Sequence, residues 1–288
     1  MSNLNHRSMA LPRLLVAAAV TLLWVSPQIA QASYIFVGIT FYDPQLLSID
    51  PVTGQIQPGP ALDPTTLPFG LAWYQDKLYT YTPGSAYLQL LDPSNGGEAV
   101  PDPAFPVPGS PIFGEGDLAF LPDGTYFISQ SLGSQEGFLL HRFTPENPGV
   151  WVSYWLDGGW DGLAYDPLSQ GVLYGLQQHV PKLYRFDTAT GQRTLVGTLK
   201  SSGSVLVSTS FLGALAFAPT GELFAVMDGG LYQVNKETAE ATLILDTGYK
   251  HISGLAAATL PVPEPGTFLL LATGIALGAC RRLRRVRL

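Results

Sequence analysis

The chain has 288 residues, 46% of them hydrophobic and 13% charged, so it is long and apolar enough to build a sizeable core. Glycine (31 residues) and proline (24 residues) are abundant, which indicates many turns. The net charge is −7, and residues 33–265 hold all 22 acidic side chains but only eight basic ones. This balance excludes a nucleic-acid-binding body, since phosphate contacts need a basic face. The single cysteine, Cys280, excludes intrachain disulfides.

Residues 1–32 have the three parts of a secretory signal peptide. Two arginines precede an apolar run from Leu14 to Val25, and Ala30-Gln31-Ala32 supplies the small residues that signal peptidase requires. As a helix the apolar run spans about 18 Å, short of the roughly 30 Å hydrocarbon layer, which favours cleavage over a retained membrane anchor. We therefore predict that signal peptidase removes residues 1–32 and that the rest is exported.

A short phrase recurs five times in the middle of the chain. Each copy contains a Leu-Ala pair, and successive pairs stand 40 to 52 residues apart. Each of the first four copies leads through a turn into a second apolar strand, and an alternating strand such as Leu183–Thr188 follows. Four short strands at this period are typical of a β-propeller blade. The five pairs begin at Leu71, Leu118, Leu163, Leu215 and Leu255.

The two ends of this repeat region complement each other. Residues 251–260 supply a first strand with no strands after it, whereas residues 34–57 supply later strands with no first strand before them. Joining them makes a fifth blade, which closes the ring and hides its sheet edges. We predict an all-β fold, a five-bladed β-propeller over residues 33–260; a β-sandwich or a solenoid of repeated meanders is the alternative. The repeats, especially Leu183–Leu199, resemble those of exported bacterial propeller proteins, which supports the fold only.

Acidic residues stand where the Leu-Ala strands begin. These strands should line the central channel of a propeller, so Glu115, Asp117 and Asp161 should share one mouth, and three carboxylates can hold a calcium ion. The alternative is that Asp117 and Asp161 cap turns. The mature domain has no His-Glu-x-x-His or Gly-x-Ser-x-Gly motif. Calcium is thus the one candidate cofactor, and a calcium-dependent lactone or phosphoester hydrolase is the alternative function.

Aromatic residues cluster in residues 151–160. On a strand, Trp151, Ser153 and Trp155 share one face, and the residues between them share the other. Exposed indole rings can stack on the C–H faces of sugars, which makes Trp151 and Trp155 candidate carbohydrate-stacking residues. The alternative is packing between blades, because tryptophan is usually largely buried. Nearby, His141 stands at the repeat position that Gln89 occupies in another copy. We therefore predict that His141 lies on an exposed strand face.

The last 27 residues have three parts in order. Pro263, Glu264 and Pro265 precede an apolar stretch over residues 266–280, and the tail carries Arg281, Arg282, Arg284 and Arg285. Proline interrupts the backbone, the apolar stretch can enter a bilayer as a transmembrane helix, and the arginines stop transfer on the cytoplasmic side. This ending resembles the PEP-CTERM sorting signal of exosortase substrates.

The resemblance implies a processing route. In that family Pro-Glu-Pro marks the site recognised by an exosortase-type enzyme, and the helix and basic tail are removed, in bacteria that have an outer membrane and make extracellular polysaccharide. A permanent anchor is the alternative, although fifteen apolar residues give only about 22 Å of helix. Either route holds the central domain outside the cytoplasmic membrane, first as an inner-membrane intermediate and then in the periplasm, cell surface or extracellular matrix.

These features together predict an exported surface or matrix protein whose propeller is a non-catalytic binding or scaffold module. The expected partners are signal peptidase, an exosortase-type enzyme, the membrane before processing, and polysaccharide. Nucleic acid is not an expected partner.

Overall fold

The computed structural model describes residues 34–62, 67–92, 99–107, 116–131, 137–147, 150–177, 179–209 and 212–259. Residues 34–259 make one unit of strands and turns. Within the described ranges no helix is long and apolar enough to cross a membrane. The predicted signal peptide and the predicted C-terminal helix lie outside the described residues.

Five four-stranded antiparallel sheets, the blades, are built from the described residues. Blade 1 contains β4 (Phe69–Tyr74), β5 (Lys77–Tyr81), β6 (Tyr87–Leu91) and β7 (Ala99–Pro106). Blade 2 contains β8 (Leu118–Phe120), β9 (Tyr126–Ser131), β10 (Phe138–Phe143) and β11 (Trp151–Leu156). Blade 3 contains β12 (Trp160–Tyr165), β13 (Val172–Gln177), β14 (Lys182–Asp187) and β15 (Arg193–Thr198). Blade 4 contains β18 (Gly213–Phe217), β19 (Leu223–Met227), β20 (Gly230–Val234) and β21 (Ala241–Asp246).

Blade 5 is built from both ends of the domain. Its strand order is β22 (Ile252–Thr259), β1 (Tyr34–Thr40), β2 (Gln45–Ile49) and β3 (Ile56–Ala61). β22 and β1 pair antiparallel, with Gly38 opposite Leu255. The inner strands β4, β8, β12, β18 and β22 each contact the next around a closed ring. The predicted five-bladed propeller and its split closing blade are therefore confirmed, and the sandwich and solenoid alternatives are wrong.

The core lies between neighbouring blades rather than inside any one of them. Alternate residues of a strand point to opposite faces, so each blade presents one apolar face to each neighbour. In β8, Leu118 and Phe120 pack toward blade 1, whereas Ala119 packs toward blade 3. Five such clusters fill the five interfaces. This arrangement explains why the Leu-Ala phrases read as continuous apolar runs, since both of their faces are buried.

A small hairpin that the repeat pattern did not predict lies between blades 3 and 4. β16 (Lys200–Ser201) pairs with β17 (Ser204–Val205). Ser202 and Gly203 connect them with φ values of +51° and +79°, the two left-handed conformations that a tight two-residue hairpin loop requires.

Candidate functional site

Among the described residues, the carboxyl group of Asp117 occupies the axis where the inner strands begin. Asp117 stands immediately before its Leu-Ala pair, and the other four blades have Gly70, Gly162, Ala214 and Gly254 at this position. A Cβ atom on Gly70 would lie 2.5 Å from Asp117 Oδ1, and Gly70 also has a φ of +66°. The strands converge so closely that one blade can supply a carboxyl group only because the others supply small residues.

Backbone amides from four blades surround the Asp117 carboxyl. Oδ1 accepts the N–H of Leu118 at 2.8 Å, and Oδ2 accepts the N–H of Leu163 at 2.7 Å. Leu71 and Leu215 also donate their backbone N–H groups to it. Each donor is the leucine of a Leu-Ala phrase, in blades 1 to 4. The carboxyl group thus satisfies backbone donors that would otherwise face one another across the axis.

Burial dominates the electrostatics of Asp117. The side chain is fully buried, and burial raises its pKa well above the usual range, although the four N–H donors oppose that rise by favouring the ionised form. Two carboxyl oxygens have about four lone-pair positions. Four N–H donors engage these positions, so they occupy the lone pairs through which Asp117 would bind a cation.

The other two predicted calcium ligands do not complete a site among the described residues. Asp161 is 4% exposed and is the extra residue of a β-bulge in β12. It lies beside a cavity of about 10 Å³ that Gln177 and Ser208 also line, roughly the room of one water molecule. Glu115 lies outside the described residues, and no three His, Cys, Asp or Glu side chains within the described ranges are placed to share a metal ion. The calcium site therefore remains a prediction.

Serine hydroxyls tie neighbouring blades together at the same end of the channel. Ser129 Oγ accepts the backbone N–H of Asp117 at 2.7 Å and donates to the Trp160 carbonyl of blade 3 at 2.6 Å. Ser253 Oγ donates toward the Pro68 carbonyl, just before blade 1, at 3.2 Å. Hydrogen bonds between blades thus surround the axial carboxyl group.

The opposite end of the channel opens into an apolar cavity of about 230 Å³. The later residues of the inner strands line it, including Trp73, Phe120, Tyr165 and Phe217. Apart from the Trp73 indole and the Tyr165 hydroxyl, the described lining side chains are hydrocarbon. This cavity offers hydrophobic surface, and its described lining contains no carboxylate, histidine or cysteine.

The two candidate sugar-stacking residues lie on the outermost strand of blade 2. In β11, Trp151 is 37% exposed and Trp155 is 66% exposed. Both point to the same face, with Trp151 opposite Phe143 and Trp155 opposite Leu139 of β10. At about 3.4 Å per residue, their Cα atoms are roughly 14 Å apart. Two indoles on one face of one strand form an aromatic strip, which we define as Trp151 and Trp155.

His141 supports the middle of the aromatic strip from the neighbouring strand. It is 7% exposed, so the exposed position predicted for it is wrong. Its Nε2 lies 2.5 Å from Gln130 Oε1 and its Nδ1 lies 2.9 Å from Ser153 Oγ. Because Gln130 Oε1 only accepts, Nε2 carries the proton and Nδ1 accepts the Ser153 hydroxyl. Burial lowers the pKa of His141 to about 4, so the ring is neutral near pH 7.

Comparison with known proteins adds one sequence match and several distant structural ones. The PEP-CTERM protein-sorting motif matches residues 261–285. No curated protein matches the sequence significantly. A putative gluconolactonase of known structure is 17% identical, with a TM-score of 0.49 over 78% of this chain and 82% of that chain. A gluconolactonase from Xanthomonas campestris is 16% identical, with a TM-score of 0.48 over 78% and 79%. A chain of a nidogen/laminin complex is 10% identical, with a TM-score of 0.48 over 78% and 98%.

Similarity at this level assigns no activity to the chain. The sorting motif is more informative, because the matched residues contain Pro263, Glu264 and Pro265 together with the arginines up to Arg285. The motif implies processing by an exosortase-type enzyme and sorting to the cell envelope. The chain is therefore an exported protein with a C-terminal PEP-CTERM sorting motif, and its body is a five-bladed β-propeller.

Proposed function

We propose that the propeller is a non-catalytic binding module of the cell surface or extracellular matrix, and that it associates with polysaccharide through the aromatic strip. The proposal includes removal of residues 1–32 by signal peptidase and a membrane-held intermediate before exosortase-type processing. The exposure of both indoles on one face of β11 is the observation that carries it.

Exposed tryptophan has a cost that a binding role would offset. An indole left in water forgoes the free energy of burying a large apolar surface, and tryptophan is usually largely buried. Here two of them lie on the same strand with a polar residue, Ser153, between them. Sugar rings present C–H groups on one face and hydroxyls at the rim, so a strip of aromatic faces with a hydroxyl between them suits a polysaccharide chain.

The alternative, a calcium-dependent hydrolase of lactones or phosphoesters, has less support. It needs Asp117 as a cation ligand, but four backbone N–H groups already engage that carboxyl. The apolar cavity at the other end of the channel has hydrocarbon walls, which suit neither a divalent cation nor a general base.

The proposal is tested by affinity electrophoresis of the full chain, in non-ionic detergent, through gels that contain a neutral or an acidic polysaccharide. We expect the wild-type chain to be retarded and Trp155→Ala to bind roughly two- to tenfold more weakly, because one stacking contact contributes roughly 0.5–1.5 kcal/mol. Trp151→Ala should show a smaller loss, because that ring is less exposed.

The matched control is Tyr42→Ala. The exposed fraction of Tyr42 is 69%, similar to that of Trp155. Tyr42 lies in a turn of blade 5, far along the ring from β11. Its removal should leave the retardation unchanged. Equal retardation of Tyr42→Ala, Trp151→Ala and Trp155→Ala, or no retardation of the wild-type chain by either polymer, would contradict the proposal.

A further inference from the structure

Each blade ends in an outermost strand whose outer edge carries no further strand of its own blade, and such edges invite pairing with another chain. Four of the five outermost strands carry features that discourage pairing. β3 and β7 contain prolines, which lack the N–H that a ladder requires, and β15 and β21 contain a charged residue. All four also pair with their inner neighbour through a register shift that twists the edge.

β11 carries none of these features. Its six residues, Trp-Val-Ser-Tyr-Trp-Leu, include no proline and no charged side chain, and its register with β10 is unbroken over the whole strand. Val152 is 51% exposed on the face opposite the two tryptophans. Of the five outermost strands, β11 therefore has the edge that is best suited to forming a further ladder.

We propose that the free edge of β11 pairs antiparallel with β11 of a second copy of this chain, with Ser153 opposite Ser153 of the partner subunit. The sequence is self-complementary about this centre. Trp151 comes opposite Trp155 of the partner subunit, and Val152 comes opposite Tyr154 of the partner subunit. A two-fold axis repeats each pair, so one strand supplies two cross-strand aromatic pairs and two aromatic–valine pairs. A partner of unrelated sequence would not gain this matching.

The existing contacts of the strand are compatible with this pairing. Arg193 Nη1 donates to the Trp155 carbonyl at 2.7 Å, and Arg193 Nη2 pairs with Asp157. A carbonyl oxygen has two lone pairs, so one remains for an N–H of the partner. The contact area is small, which makes the dimer weak and its population dependent on protein concentration.

The inference does not depend on the proposed function. Edge pairing uses backbone groups and leaves the sheet faces open, so the dimer would present four indoles on one face of a continuous eight-stranded sheet. Loss of the dimer and loss of sugar retardation are therefore separate results.

The first test is sedimentation equilibrium of the full chain in non-ionic detergent. We expect reversible dimerisation of the wild-type chain, and a loss of at least tenfold in association for Val152→Lys, because two lysines would lie diagonally across the two-fold axis. The control is Leu243→Lys on β21, which has the same 51% exposure and should dimerise like the wild-type chain. Val152→Lys should keep the polysaccharide retardation of the wild-type chain.

The second test fixes the register. In a Cys280→Ser background, Ser153→Cys should form a disulfide between two copies when oxidised glutathione is added, with reduction of the glutathione disulfide to two thiols. Thr242→Cys, on the exposed part of β21, is the control and should cross-link at least tenfold more slowly. A monomeric wild-type chain at 200 μM, equal behaviour of Val152→Lys and Leu243→Lys, or equal cross-linking of the two cysteine variants would overturn the proposal.

Discussion

At the scale of single residues, the centre of the ring depends on one carboxyl group. Asp117 joins four blades through their backbone amides, and its burial is complete. An isolated carboxyl group in such a place would be expensive, but here it satisfies the N–H groups of strands that approach too closely for water to serve them.

The titration of Asp117 should make stability depend on pH. Because its folded pKa is raised above the unfolded value near 4, its contribution is fully present below pH 4 and is lost as the pH rises through the folded pKa. Asp117→Asn removes this slope. The substitution should also lower the free energy of unfolding by roughly 1–3 kcal/mol at low pH, because the NH₂ group of the asparagine faces a backbone N–H.

The measurement is urea unfolding of wild type and Asp117→Asn from pH 3 to 9. The informative quantity is the difference between the two curves, because His141, with a pKa lowered to about 4, adds a slope of opposite sign between pH 4 and 6.5. Asp123→Asn, in an exposed turn, is the control. Parallel curves for wild type and Asp117→Asn would show that the pKa of the Asp117 carboxyl is the same in the folded and unfolded states, which would contradict the raised pKa.

Several residue roles could not be predicted from the sequence, for physical reasons. Spacing predicted that Asp117 stands at the channel, but three of its four N–H donors come from blades more than 40 residues away and depend on how the ring closes. His141 was predicted on an exposed face, whereas Gln130 and Ser153 on the flanking strands bury it. Alternation predicted that Trp151 and Trp155 share a face, but exposure depends on which strand ends the blade.

At the scale of elements, the inner strands were the most predictable part of the molecule. The five Leu-Ala phrases mark β4, β8, β12, β18 and β22, because a strand buried on both faces needs small and apolar residues at nearly every position. The bulges were not predictable, since a strand that is apolar on both faces has no alternation for an inserted residue such as Asp161 to shift.

Convergence of the inner strands gives a test with a matched control. A Cβ atom on Gly254 would lie 2.6 Å from the backbone of Gly70 and Leu71, whereas one on Gly38 of the paired strand meets only side chains at 3.5 Å. Gly254→Ala should therefore lower the free energy of unfolding by about 2–3 kcal/mol, because the neighbouring backbone must move. Gly38→Ala should lower it by less than about 1 kcal/mol. Equal midpoints in urea unfolding for these two variants would contradict the close approach.

At the scale of the whole molecule, the ring was predictable because its two unmatched ends had complementary strand sets. In the sequence, residues 251–260 lacked partner strands and residues 34–57 lacked a first strand. The pairing of β22 with β1 supplies both. The function was less accessible, since the repeat describes how blades pack and carries no information about a ligand.

Calcium distinguishes the two functions for the domain as a whole. We expect the melting temperature of the propeller domain to be the same with millimolar calcium and with a chelator, because backbone amides engage the carboxyl group of Asp117. A site built from Glu115, Asp117 and Asp161 would instead add about 2.7 kcal/mol at a hundredfold excess over its dissociation constant. A calcium-dependent shift that Asp161→Ala abolishes would support the hydrolase.

The split blade also has a consequence in time. β1 is among the first segments to be synthesised, but its partner β22 lies more than 200 residues later, and synthesis at about 5–20 residues per second puts roughly 10–40 s between them. During that interval the first three strands of blade 5 have no inner strand to pair with. A chain interrupted before β22 would keep an open ring however well its other blades had folded. Ring closure must therefore wait for the last strand of the domain.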